Sequence, residues 1–131
     1  MPLVVDASVA VEYLLRTALG RRVAPRLEES ELLAPELFDA EVLAVLRRAH
    51  LAGRLRKARA REAILDLCDW PVRRLAHRPL VPVAWSFRRN LSAYDALYVA
   101  AAALHDAHLL TADGPLSRAP RVGVVIENIR A

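Results

Sequence analysis

"PLVVDASVAVEYLLR", residues 2 to 16, changes from one periodicity to another at a single acid. Residues 2 to 5 are a short apolar, β-branched run, and from Ala7 onward the apolar residues recur at helical spacing. The stretch reads as a strand that ends at Asp6 and gives way to a helix. The same pattern returns in "HLLTAD", residues 108 to 113, another brief apolar run closed by an acid. "ELLA" (31–34), "PVRRLA" (71–76) and "RVGVVIENI" (121–129) supply further strands. Between them lie the helical patterns "ALGRRVAPRLEES", "PELFDAEVLAVLRRAHLAG", "RLRKARAREAILDLCDW", "LVPVAWSFRRN" and "LSAYDALYVAAAALHDA". Pro35 and Pro82 suit first helical turns, Gly53 a helix end, and Pro71 a stop. Short strands alternating with helices predict an α/β fold whose parallel sheet is covered on both faces.

The 131 residues fall in the usual range for one domain, so residues 1–131 read as a single unit with one core. With 55% hydrophobic residues and no low-complexity tract, the chain does not have the composition of a disordered protein. The uncharged stretch "ALYVAAAAL" is too short to span a bilayer, and "MPLVVDAS" has no cationic start, so neither a membrane span nor a secretory signal is expected. A cytoplasmic location follows by default. The single cysteine, Cys68, has no internal disulfide partner and is expected to be a buried, inert thiol in a helix. The net charge of +4 favours an anionic partner such as nucleic acid. All basic residues but Lys57 are arginines, a bias that a GC-rich genome also produces, so this signal carries little weight alone.

Four acids stand where chemistry gathers or where their presence needs a reason. In open parallel sheets ligands collect beyond the carboxyl ends of the strands, where Asp6 and Asp113 follow their apolar runs. Each also has a plain structural reading: Asp6 as a helix cap, and Asp113 with Gly114 as a turn. Asp95 follows Ser92 at the spacing of a capped helix start and meets the positive end of the helix dipole. Glu41 is harder to dismiss, because its helical neighbours are Leu37, Phe38, Ala44 and Val45. A carboxylate on an apolar stripe needs a partner, either a basic side chain or a metal. Its neighbour Asp39 points elsewhere and is expected to be solvated. If the four acids converge they repel, by roughly 3 kcal/mol for a pair ~5 Å apart at an effective dielectric of ~20. A cation would hold them together, and an all-oxygen set suits Mg²⁺ or Mn²⁺ rather than zinc.

"VVDASVAVEYLL", "APELFDAEVLAVLRRA", "LSAYDALYVAAAA" and "LLTADGPL", in this order and spacing, resemble the PIN-domain nucleases, most closely the VapC-type toxins of toxin–antitoxin pairs. The resemblance covers essentially the whole chain. It implies a three-layer α/β/α sandwich around a parallel sheet, and an acidic metal pocket formed by Asp6, Glu41, Asp95 and Asp113. Ser8 and Thr111 match polar positions that border this pocket. Ala44 departs from the pattern, since many relatives have asparagine three residues after the helix glutamate. The implied activity is Mg²⁺- or Mn²⁺-dependent endonucleolytic hydrolysis of RNA, leaving a 3′-hydroxyl and a 5′-phosphate. The implied partners are an RNA substrate, a cognate antitoxin whose C-terminal segment wraps the toxin, and a second copy in a homodimer.

Arginines in "RLRKARAR", with Arg47, Arg48, Arg73, Arg74, Arg88 and Arg89, are candidates to contact RNA, although charge runs are usually solvated faces. Trp70, Trp85 and Tyr94 are candidate stacking platforms, with core packing the expected fate of the tryptophans. His105 and His108 are expected to complement a helix C-terminus rather than bind metal. "LFDAEVLAVL" suits a partner surface or the core equally. A signalling receiver domain would need a lysine after a late strand, and Lys57 lies mid-chain; a D-x-D phosphatase would need an acid where Ser8 stands. Two further alternatives remain: a solitary PIN nuclease of RNA processing, and a non-catalytic RNA-binding protein of the same fold.

Overall fold

A computed structural model describes residues 1–119 and 122–130. Five strands, β1 (Leu3–Val5), β2 (Leu32–Pro35), β3 (Val72–Leu75), β4 (His108–Thr111) and β5 (Ile126–Asn128), form one sheet in the order β3-β2-β1-β4-β5. Every neighbouring pair is parallel. The chain steps outward from β1 to β2 to β3, then returns to lay β4 on the other side of β1. The order therefore reverses between β1 and β4, with Val5 opposite Leu110 at the carboxyl end. A crevice opens at such a reversal.

The helices are α1 (Ala7–Leu14), α2 (Ala18–Glu28), α3 (Leu37–Leu51), α4 (Lys57–Asp69), α5 (Val81–Trp85), α6 (Ala93–Leu104) and α7 (Gly114–Ser117). Helices α1 to α4 pack on one another, whereas α6, with α5 beside it, lies across β1, β2 and β4. Crossovers between parallel strands are right-handed, so the outward steps and the return place these two helix groups on opposite faces. The result is the expected three-layer α/β/α sandwich. Val4, Val5, Leu33, Leu109 and Leu110 are at most 1% exposed, which is why these strands read as continuous apolar runs. The alanine run of α6 is explained the same way: Ala96, Ala100, Ala101 and Ala102 are buried, and their small side chains let the helix lie close over the sheet. At Gly20 a Cβ would come within 1.9 Å of the Glu12 carbonyl oxygen, so α1 and α2 touch backbone to backbone.

Several expectations change. Pro35 closes β2 instead of opening α3, and Leu37 is the first residue of that helix. Residues 54–56 precede α4, and Arg121 of the expected last strand lies outside the described residues. Cys68 is exposed, because α4 buries Ala60, Ala63 and Leu67, and the next position turns away from that face. His105 does end α6, but His108 begins β4 and sits 3.4 Å from Glu127. Among the described residues no helix is long and apolar enough to cross a membrane.

Candidate active site

The carboxyl ends of β1 and β4 are joined through Asp6. Its Oδ1 accepts the Ser8 and Val9 amides at 3.0 and 3.3 Å, so Asp6 does cap α1. The Ser8 hydroxyl donates to that oxygen as well. Oδ2 accepts the Thr111 hydroxyl at 2.5 Å. Each hydroxyl in turn accepts an amide from the turn after β4: Ala112 N–H to Ser8 Oγ, and Asp113 N–H to Thr111 Oγ1, both 2.9 Å. Two hydroxyls thus relay the β4 turn onto the two oxygens of one buried carboxylate. Burial pushes the Asp6 carboxyl above its ordinary value, and the bonds from Ser8, Thr111 and Val9 oppose that rise.

Glu41, half-buried on α3, has a partner that is neither arginine nor metal: the Tyr98 hydroxyl donates to its Oε1 at 2.6 Å. No arginine pairs with Glu41 among the described residues. Tyr98 is 2% exposed on α6, and its oxygen also receives the Ala7 amide. Burial, then the bond to Glu41 and the charges of Glu41 and Asp6, raise the Tyr98 hydroxyl far above its ordinary value. The phenol therefore keeps its proton and acts as a fixed donor. The first turn of α3 is held by His77, whose Nε2 accepts the Leu37 amide at 2.9 Å, because Glu36 at the cap position makes no side-chain bond.

Ser92 caps α6 by accepting the Asp95 amide at 3.2 Å, and its hydroxyl also bonds the Asp95 carboxylate, which partly offsets the rise in that carboxyl's pKa. Burial raises the Asp95 carboxyl, and the charges of Asp113 and Glu41 raise it further. Asp113 occupies the cap position of α7 yet makes no capping bond with its side chain, so the turn reading does not engage its carboxylate. The four acids are linked in pairs. Asp95 senses Asp113 and Glu41, while Tyr98 senses Glu41 and Asp6. They act on one another across a gap: among the described residues no three His, Cys, Asp or Glu side chains stand close enough to clasp an ion. The donor set itself, carboxylate and hydroxyl oxygen with no nitrogen or sulfur, fits Mg²⁺ or Mn²⁺. Beside it lies a cleft of about 550 Å³ lined by Ala7, Leu37, Ala40, Glu41, Ala44, Val45, Arg48 and Tyr94. Ala44, the departure from the pattern, thus faces the space next to Glu41.

Residues 3–122 match the PIN domain family. Ribonuclease VapC1 of Mycobacterium tuberculosis is 40% identical over 129 residues, covering 97% of both chains. The chain belongs to the PIN-domain family. Two solved structures share the fold of this PIN domain. One is PAE2754 from Pyrobaculum aerophilum, at a TM-score of 0.70 and 23% identity, covering 96% of this chain and 83% of that one. The other is VapBC2 from Rickettsia felis bound to a DNA fragment from their promoter, at a TM-score of 0.67 and 12% identity, covering 98% of each chain.

The site of this PIN domain includes residues that sequence reasoning missed. Tyr98 was legible only as an apolar helix position, although it stands three residues after Asp95 on the same helix face. Arg74 leaves the set of RNA-contacting candidates: it forks onto the Asp39 carboxylate at 2.8 Å and donates to the carbonyls of Leu67, Trp70 and Val72. Asp39 is correspondingly paired instead of simply solvated. Trp70 packs against Tyr13 and the core as expected, with ring centroids 4.8 Å apart, but Trp85 is 67% exposed and is no core residue. Of the "LFDAEVLAVL" helix, Phe38, Val42 and Leu46 are core, whereas Leu43 is open to solvent.

Proposed function

We propose that residues 1–131 act as one PIN-like domain, a metal-dependent endoribonuclease of the VapC kind, with Asp6, Glu41, Asp95 and Asp113 as the ligands of a divalent cation. What supports this reading is that the carboxylates are linked in pairs, Asp95 with Asp113 and Glu41, and Glu41 with Asp6 through Tyr98, and that none is neutralised by an arginine or lysine among the described residues. Capping accounts for Asp6 and for the Ser92–Asp95 pair, but not for Glu41 or Asp113 beside them.

Mg²⁺ or Mn²⁺ held by Asp6, Glu41, Asp95 and Asp113 would supply acidification of an attacking water and charge neutralisation at the scissile phosphate. The protein's own part is preorganisation. Ser8 and Thr111 fix both oxygens of Asp6 and tie them to the turn that carries Asp113. Tyr98 fixes Glu41 by one oxygen and leaves the other for the pocket. Asp95, bonded only to the Ser92 hydroxyl, and Asp113, whose side chain does not cap α7, pair with no basic group among the described residues and would complete the ligand set. Hydrolysis yields a 3′-hydroxyl and a 5′-phosphate. As the toxin of a pair, the protein would be held inactive in the cytoplasm by a cognate antitoxin and would form a homodimer.

The test is incubation of purified protein with single-stranded and hairpin RNA, with and without Mg²⁺ or Mn²⁺, beside Asp6→Asn and Asp95→Asn. Cation-dependent cleavage lost in both variants supports the assignment. Cleavage that persists in both would come from a contaminant and would sink it. An adjacent upstream reading frame encoding a small protein with a DNA-binding fold is expected of the toxin reading, and its absence would favour a solitary nuclease.

A further inference from the structure

The short helix α5 and the turn after it leave a groove of about 290 Å³ against α6, lined by Trp85, Arg88, Leu91, Ala93, Ala96 and Leu97 among others. Two features set it apart from a packing defect. Trp85 is 67% exposed in a chain with only two tryptophans, and the Arg88 guanidinium lies over its ring at 4.9 Å. Arg88 also donates to the Trp85 carbonyl at 3.3 Å, which holds the pair together. Neither Arg88 nor its neighbour Arg89 meets a carboxylate among the described residues, so their charge is available to a phosphate. An exposed indole beside a guanidinium that meets no carboxylate suits a flat, anionic ligand.

Its position supplies the rest. Ala93, Ala96 and Leu97 line the groove, while Tyr94, 65% exposed, lines the cleft beside Glu41, and Asp95 lies near enough to Glu41 and Asp113 to feel their charges. Only the first turn of α6 separates the two spaces, a helix being about 10 Å across. We infer that the Trp85–Arg88 groove stacks an unpaired base of the RNA next to the nucleotide being cut, with Arg88 and Arg89 on its phosphates. This rests on the nuclease reading for the identity of the ligand. It makes the preferred substrate a strand with an unstacked base, since a base inside a duplex cannot reach the indole.

Fluorescence anisotropy in chelator, where no cleavage occurs, compares a labelled single-stranded RNA of mixed sequence with its duplex. Trp85→Ala and Trp85→Leu should weaken single-strand binding by roughly 5- to 150-fold, the range found for losing one base–aromatic stack, and leave duplex binding unchanged. Trp85→Phe should recover most of the loss, which an apolar packing role would grant to leucine as well. Arg88→Ala should weaken both ligands and flatten the salt dependence. Equal single-strand affinity across the Trp85 variants overturns the proposal. So does a change of sedimenting mass in Trp85→Ala without a change in RNA affinity, which would make the groove a face between protein copies. Cleavage by the wild-type protein, assayed in parallel with Mn²⁺, reports on the nuclease reading separately. If it fails while the binding pattern holds, the groove is an RNA site on a non-catalytic protein.

Discussion

Removing the Tyr98 hydroxyl separates the two roles that its position combines. In Tyr98→Phe the ring still fills a site 2% exposed, so no cavity forms, but Glu41 loses the donor at 2.6 Å and the Ala7 amide loses its acceptor. Glu41 is half-buried and regains water, so the net loss should be about 1–2 kcal/mol, near the lower end for a hydrogen bond to a charged group. An unfolding entropy of about 2.1 cal/mol/K per residue over 131 residues converts this to a fall in Tm of about 4–7 °C. The effect on the site is larger. A ligand that has lost its orienting partner typically costs about 10–100-fold in metal affinity. Calorimetric titration with Mn²⁺ reads that loss directly, and cleavage should fall at low Mn²⁺ and recover at saturation, because the four carboxylates are still present. A variant with the expected drop in Tm but unchanged Mn²⁺ affinity would refute the reasoning, since the bond would then be structural only and Glu41 no ligand.

Asp95→Asn should raise Tm in chelator near neutral pH while abolishing cleavage. The Asp95 carboxyl is raised above 3.8 in the folded protein, so between 3.8 and the raised value the folded state binds more protons than the unfolded chain. Stability from this group falls as pH rises through that window, and the penalty persists above it. The advantage of the variant should therefore shrink as pH is lowered toward 3.8, and a destabilised variant at neutral pH would favour the capping account. Ser92→Ala removes the cap on the Asp95 amide and should cost about 1 kcal/mol by urea unfolding, with cleavage retained at saturating Mn²⁺. Thr111→Val keeps the shape of a fully buried side chain but strands Asp6 Oδ2 and the Asp113 amide; about 1–3 kcal/mol of stability and most of the cleavage should go with it.

Much of this protein can be read along the chain because its strands are brief and buried on both faces. "PLVV", "ELLA", "PVRRLA" and "HLLTAD" all mark real strands, and the acids that close the first and last of these fall at the sheet's reversal. Pro35 misled because a proline before a helical run suits either a strand end or a first turn, and only the pairing of Pro35 with Leu75 decides. The partners of Glu41 and Asp39 were illegible for one reason: Tyr98 and Arg74 arrive from elements 57 and 35 residues away, and nothing local announces them. Trp85 escaped because α5 is five residues long, too short for periodicity to distinguish its buried face from its open one. Asp6 and Ser92 show that a cap and a site are compatible, since the bonds that satisfy a helix start also aim the carboxylates.

The central claim, that Asp6, Glu41, Asp95 and Asp113 are gathered by one divalent cation site, is tested most directly by a crystal structure grown with Mn²⁺ and phased on its anomalous signal. The account predicts an anomalous peak among these four side chains, with carboxylate oxygens drawn in to about 2.1 Å. A peak elsewhere on the chain, or none with the four acids still standing apart at saturating Mn²⁺, would contradict it.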